Sequence, residues 1–150
     1  NAGNKQGTLR DALVDADVFI GVSVGNLLTA EDVRTMAEKS IIFGLANPIP
    51  EIMPEEAIKG GAAIVGTGRS DLPNQINNVL GFPGIFRGAL DARAKQISNG
   101  MKLAAAFAIA DHITNPTADC IIPPTLNESV AWKVGKAVQE VAIKEQKENS

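Results

Sequence analysis

The stretch of this sequence with the densest hydrogen-bonding chemistry is Gly66 to Gly84, GTGRSDLPNQINNVLGFPG. It gathers Asn74, Gln75, Asn77 and Asn78, with Arg69 and Asp71 just before them. A further amide, Asn47, stands in the turn Ala46-Asn47-Pro48. A carboxamide both donates and accepts, so Asn can donate to a carboxylate or hydroxyl and accept from another amide. Being neutral, it does not hold an anionic substrate too tightly in its ground state, as a lysine would. The stretch therefore reads as a loop that holds a small polar ligand. The chain has no tyrosine, and its single histidine is His112, so a Tyr acid or a His pair cannot be assembled from these residues.

The elements around the amides set their context. Ala16 to Ser23 reads as a buried parallel strand, apolar on both faces, ending in the small turn Ser23-Val24-Gly25-Asn26. Ile41 to Leu45 is a second strand and leads into Ala46-Asn47-Pro48-Ile49-Pro50. Ala62 to Val65 is a third and delivers the amide-rich loop. Helical spacing marks Thr8 to Asp15, with Thr8 as N-cap and Asp11 at N3, and a second helix from the capping sequence Thr29-Ala30-Glu31-Asp32 to about Lys39. Pro54 to Ile58 is a short helix with proline in its first turn, stopped at Gly60-Gly61. Strands alternating with helices through short connections predict a parallel sheet with right-handed crossovers. In such sheets ligands bind beyond the carboxyl ends of the strands.

After Gly84 the pattern is helical: Ile85 to about Ala94, Asn99 to about His112, and Asn127 to about Lys147. The middle helix is apolar on most faces and is expected to be well buried. The last carries Val130, Val134, Val138 and Val141 on one stripe. The fold class is thus α/β, a Rossmann-like parallel sheet followed by C-terminal helices. A full dinucleotide domain needs a G-x-G-x-x-G turn and a later acidic ribose ligand. Gly66-Thr67-Gly68 follows a strand, but Asp71 stands at the sixth position. The sheet therefore reads as incomplete, with early strands and the pyrophosphate turn expected upstream of Asn1. Residues 1–150 read as the C-terminal portion of a dinucleotide-binding domain, with a helical extension over about 98–150.

The chain's 150 residues, 45% hydrophobic, suffice for one globular domain with a core. A net charge of −3 without a basic cluster argues against nucleic acid. No apolar run reaches the ~20 residues of a membrane helix. The opening NAGNKQGTLR carries no visible secretory signal, and a single cysteine, Cys120, excludes an intrachain disulfide. The expected compartment is the cytoplasm.

Several residues also have plain structural readings. Asn47 before proline suits a turn, and Asn77 or Asn78 suits a helix cap. Arg69 and Asp71 suit a local ion pair, and Asp71 alone makes no metal site. His112 suits a helix C-terminus, and Cys120 an inert core thiol. Trp132 reads as core or domain packing, and Phe82, Phe86 and Phe107 read as core.

Four segments carry a family resemblance: ADVFIGVS (Ala16–Ser23), IIFGLANPIPEIMPEEA (Ile41–Ala57), TGRSDLPNQINNVLGFPGIFRGALDARA (Thr67–Ala94) and MKLAAAFAIA (Met101–Ala110). In this order they resemble the carboxyl-terminal part of a malic enzyme of the short bacterial or archaeal type. The resemblance implies oxidative decarboxylation of malate to pyruvate and CO2 with NAD or NADP and a divalent metal, Mg²⁺ or Mn²⁺. It implies that Asn47, Asn77 and Asn78 face substrate, and that Asn47 and Asn78 also line the nicotinamide. Val22, Ser23, Val24 and Gly25 would pass the cofactor by backbone contact. The family's acid, base and metal ligands match no position here, so catalytic and metal residues are expected outside this chain. The remaining partners implied are the rest of the enzyme chain and a second subunit in a homodimer. The competing readings are a non-catalytic nucleotide-binding or assembly module and another nicotinamide-dependent dehydrogenase.

Overall fold

A computed structural model describes Gly3 and residues 6–148; the other positions of the opening NAGNK and the last two residues lie outside the described residues. The chain forms two compact units, residues 1–76 and 77–150.

The first unit is built from β1 (Val18–Gly21), β2 (Ile41–Gly44) and β3 (Ile64–Thr67), all parallel and in the order β1-β2-β3. The helices α1 (Leu9–Leu13), α2 (Ala30–Arg34) and α3 (Pro54–Lys59) precede them or connect them. Thr8 and Thr29 each cap their helix in a reciprocal capping box with Asp11 and Asp32, and Pro54 opens α3. Asp32 is buried and also receives Arg10 Nε at 2.7 Å, which ties α1 to α2.

Phe19, Ile42 and Val65 are partners across the sheet and share one buried face with Leu13, Val33 and Ala57 from the three helices. That arrangement follows from topology. When successive strands are added in one direction, right-handed crossovers place every connecting helix on the same side. The opposite face of β1 is therefore left outside: Val18, Ile20 and Val22 are exposed, Ile20 by 62%. β1 is thus buried on one face, not on both as its apolar run suggests.

The second unit is helical: α4 (Phe82–Asp91), α5 (Asn99–Ala110) and α6 (Glu128–Glu148), entered through a 3-10 turn at Asn78–Leu80. Val130, Val134 and Val138 are fully buried on α6, with Val141 half-buried, as the valine stripe predicts. α4 meets α6 through glycine. A Cβ on Gly84 would lie 2.6 Å from the Ala131 carbonyl, and one on Gly88 2.8 Å from Val138 Cβ. Close backbone approach on that side turns Phe82, Phe86 and Leu90 to the outside, where the two phenyl rings lie 5.8 Å apart.

The second unit corrects four further expectations. Phe82, Phe86 and Phe107 are exposed rather than core. α5 is not well buried: it packs by Met101 and Ala105, leaving Leu103 and Phe107 on its far face. Of the two readings of Trp132, core is excluded: it lies two positions off the valine stripe, about 200° round the helix, and is 72% exposed beneath Lys136 Nζ. Cys120 is exposed, because Thr117 and Cys120 exchange two backbone hydrogen bonds in a surface turn. Helix bounds also differ: α4 begins at Phe82, three residues before the apolar pattern suggests, since Pro83 is tolerated in a first turn.

Candidate functional site

The carboxyl ends of β1, β2 and β3 lie side by side, and the residues just beyond them are the candidates. Val22, Ser23, Val24 and Gly25 follow β1 as an exposed turn. Asn47 follows β2 and is exposed, with a cis peptide to Pro48. Gly68 follows β3, and a Cβ there would stand 3.9 Å from Asn47 Nδ2. The first unit thus brings together five of the seven sequence-read positions on one edge of its sheet.

The two turns are locked to each other. A Cβ on Gly25 would fall 2.8 Å from Ile49, so only glycine lets the first turn lie against the second. Asn26 N–H donates to the Pro50 carbonyl at 3.0 Å, and Leu28 N–H to the Glu51 carbonyl at 2.9 Å. Beneath them sits Glu51, wholly buried. Its Oε1 accepts from Ser23 N–H at 2.7 Å and its Oε2 from Ala46 N–H at 3.0 Å. Gly21 and Gly44, partners across β1 and β2, leave the room for it: a Cβ on Gly21 would lie 2.5 Å from Glu51 Cδ. Burial pushes the Glu51 carboxyl up, but the backbone amides around it, those of Ser23 and Ala46 foremost and then its own and that of Leu45, together hold the group below its ordinary value.

The loop after β3 folds back on its own strand. Ile76 N–H donates to the Thr67 carbonyl at 2.7 Å, and Gln75 bridges to Thr67 in parallel register. The buried Asn74 takes a positive φ of 54° and its Nδ2 donates to the Val65 carbonyl at 3.0 Å. Asn74 and Gln75 therefore brace the loop. Arg69 grips Asp71 with two hydrogen bonds, 2.9 and 2.6 Å, the local ion pair that the sequence suggests. The Arg69 guanidinium holds the Asp71 carboxyl below the usual range.

Asn77 and Asn78 open the second unit. Asn77 Oδ1 accepts from Val79 N–H at 3.0 Å and so caps the 3-10 turn, which leaves its Nδ2 as the donor. Asn78 is exposed within that turn. Hollows of the second unit, such as one of about 420 Å³ lined by Arg93, Lys95, Ser98 and Glu145, contain none of the candidate amides. His112 Nε2 lies 3.2 Å from Asn127 Nδ2, at the start of α6 and away from any candidate residue in sequence. Among the described residues no group of three His, Cys, Asp or Glu side chains could hold a metal ion.

Comparison with known proteins bears on this arrangement directly. Residues 4–143 match the family model described as the malic enzyme NAD-binding domain. The chain belongs to this family. It is 57% identical over 145 residues to the bifunctional malic/malolactic enzyme of Bacillus subtilis (strain 168), covering 95% of this chain and 35% of that protein. It is 60% identical over 157 residues to the NADP-dependent malic enzyme of Rhizobium meliloti (strain 1021), covering 91% of this chain and 21% of that one. The malic enzyme structure from Pyrococcus horikoshii OT3 superposes with a TM-score of 0.95 at 51% identity, covering 97% of this chain and 34% of the other. The chain thus spans about a third or less of the malic enzymes it matches. The Rossmann-like α/β fold expected from the sequence is the fold observed.

One residue of this malic enzyme domain escapes sequence reading. Glu51, within Pro50-Glu51-Ile52-Met53, looks like a surface charge on a loop. The signal that could have found it is the glycine at each strand end, Gly21 and Gly44, each spaced alike from the turn that follows.

Proposed function

We propose that this chain is the cofactor- and substrate-facing part of a malic enzyme that converts malate and NAD⁺ or NADP⁺ to pyruvate, CO2 and NADH or NADPH. The observation that carries the reading is the locked pair of strand-end turns with Asn47 exposed beside Ser23–Gly25, in a chain whose relatives are named as NAD- or NADP-dependent malic enzymes. Turns of small residues at the carboxyl edge of a parallel sheet fit a dinucleotide, because its backbone approach needs short side chains.

In this reading the nicotinamide supplies the acceptor for the hydride leaving malate C2. Val22, Ser23, Val24 and Gly25 present backbone to the cofactor. Asn47 and Asn78 serve both ligands, donating to malate or accepting from the carboxamide of the nicotinamide. Asn77, its oxygen committed to the 3-10 turn, donates through Nδ2 to a substrate carboxylate. The described residues do not fit a metal site. The Mg²⁺ or Mn²⁺ of this reading is held outside the chain, together with the proton-transferring groups. In the same reading the enzyme is a homodimer, as the resemblance implies, and cytoplasmic, as its single cysteine suggests; among the described residues no helix is long and apolar enough to cross a membrane.

The test is the full-length protein that contains this chain, assayed for malate-dependent reduction of NAD⁺ or NADP⁺ with CO2 release in equal amount. Nucleotide binding without malate turnover would instead support a non-catalytic module.

A further inference from the structure

We infer that Glu51 is the positioning residue of the cofactor platform, its buried carboxylate setting the separation of the turn at Val22–Gly25 from the turn at Asn47. The inference rests on the functional reading above and adds a residue that touches neither ligand.

The geometry is specific. One carboxylate has two oxygens, and here each takes one backbone N–H from a different turn, Ser23 at 2.7 Å and Ala46 at 3.0 Å. Charge-assisted bonds of this kind are about twice as strong as neutral ones. Glu51 makes no salt bridge to any cation among the described residues, so its charge is balanced by amide dipoles alone. Two glycines pair across the strands beside it: a Cβ on Gly21 would press on the carboxylate at 2.5 Å, and one on Gly44 would lie against Pro50 at 3.3 Å and touch Oε2 at 3.4 Å. The base of the same loops has its own ties, Asn26 to Pro50 and Leu28 to Glu51 through backbone atoms. The carboxylate therefore acts on the strand ends, immediately before the exposed residues, and not on the core beneath.

A purely structural carboxylate and a positioning one respond differently to substitution. Glu51→Gln keeps the shape, but one oxygen becomes an NH₂ that cannot accept from a backbone N–H. One turn then loses its anchor while the backbone ties remain. In the full-length protein, the dissociation constant for NADH or NADPH, read by nucleotide fluorescence, is expected to rise roughly tenfold in E51Q, the scale of one hydrogen bond. KM for the nucleotide should rise in step, with a smaller change in KM for malate. A structural role alone would lower the melting temperature and the active fraction but leave both constants of the folded protein unmoved. A folded E51Q protein whose nucleotide Kd and KM stay within twofold of wild type overturns the inference.

Should E51Q not fold, Gly21→Ala is the second probe, since its Cβ would stand 2.5 Å from Glu51 Cδ and must displace the carboxylate or the strand without removing the charge. A rise of a few-fold in nucleotide Kd supports the inference, and an unchanged Kd overturns it. If the wild-type protein binds neither NADH nor NADPH, the functional reading itself has failed. If wild type binds and both variants bind equally well, only the role of Glu51 has.

Discussion

Gly21 and Glu51 share one space: a Cβ on the glycine would overlap the carboxyl carbon of the glutamate at 2.5 Å. The missing side chain at the end of β1 is thus what allows a charge to lie buried between two strand-end turns. Gly21→Ala should force the carboxylate or the strand to move. Overpacking of this kind costs about 1–3 kcal/mol. Denaturant unfolding of the full-length protein checks it, and a loss below a few tenths of a kcal/mol would show that the site relaxes freely.

The same carboxylate predicts a pH dependence. Its folded pKa lies below the ordinary 4.5: burial raises it, and the backbone amides of Ser23, Ala46, Leu45 and Glu51 itself together outweigh that cost. A depressed carboxyl contributes stability that is fully present above the unfolded value and is lost as pH falls through the folded value. Glu51→Gln does not titrate. The stability difference between wild type and E51Q should therefore be largest above pH 4.5 and shrink as the solution is acidified below it. A difference that stays constant through that range would contradict the assignment.

Asn77 offers a test that separates capping from ligand contact. Its Oδ1 caps the 3-10 turn, and its Nδ2 is the donor assigned to substrate. Asn77→Asp keeps an acceptor for Val79 N–H but replaces the donor with a negative charge. Asn77→Ala removes both. If the amide donates to a malate carboxylate, N77D should lose at least as much kcat/KM as N77A while remaining the more stable of the two. A donor to a charged group is worth about 1.5–3 kcal/mol. N77D with wild-type kinetics would take Asn77 out of the site.

Packing in the second unit gives a contrast within one helix pair. Gly88→Ala places a methyl against Gly135 and Val138, where the helices are in backbone contact. A cost of about 1–3 kcal/mol is expected from overpacking. Trp132→Ala removes a far larger side chain from an exposed position and should change stability by about 0.5 kcal/mol or less. Thermal unfolding of both variants ranks them, and the reverse order would refute the packing described.

Much of the fold was legible because local signals agreed with tertiary structure. The capping boxes at Thr8 and Thr29, the proline of α3 and the strand–helix alternation all form as their residues suggest. What failed is what depends on which side a neighbour occupies. β1 is apolar on both faces, yet only the row shared with Ile42 and Val65 meets helices of this unit. On α4 the phenylalanines look like the core stripe, but helix contact runs through Gly84 and Gly88, and small residues leave no hydrophobic signature. The candidate turns were legible, because Asn47 and Ser23 are polar residues just beyond strand ends. Glu51 was not, since its burial depends on glycines 7 and 30 positions earlier in the chain.

In the proposed function, the platform at Ser23–Gly25 and Asn47 serves a malate-oxidising, nicotinamide-dependent site. The most direct measurement is the initial rate of malate-dependent NAD⁺ or NADP⁺ reduction by the full-length protein, wild type against Asn47→Ala. Wild type is expected to be active, with kcat/KM roughly ten- to a hundredfold lower in N47A and unfolding behaviour unchanged. An active wild type matched by an equally active N47A would contradict it.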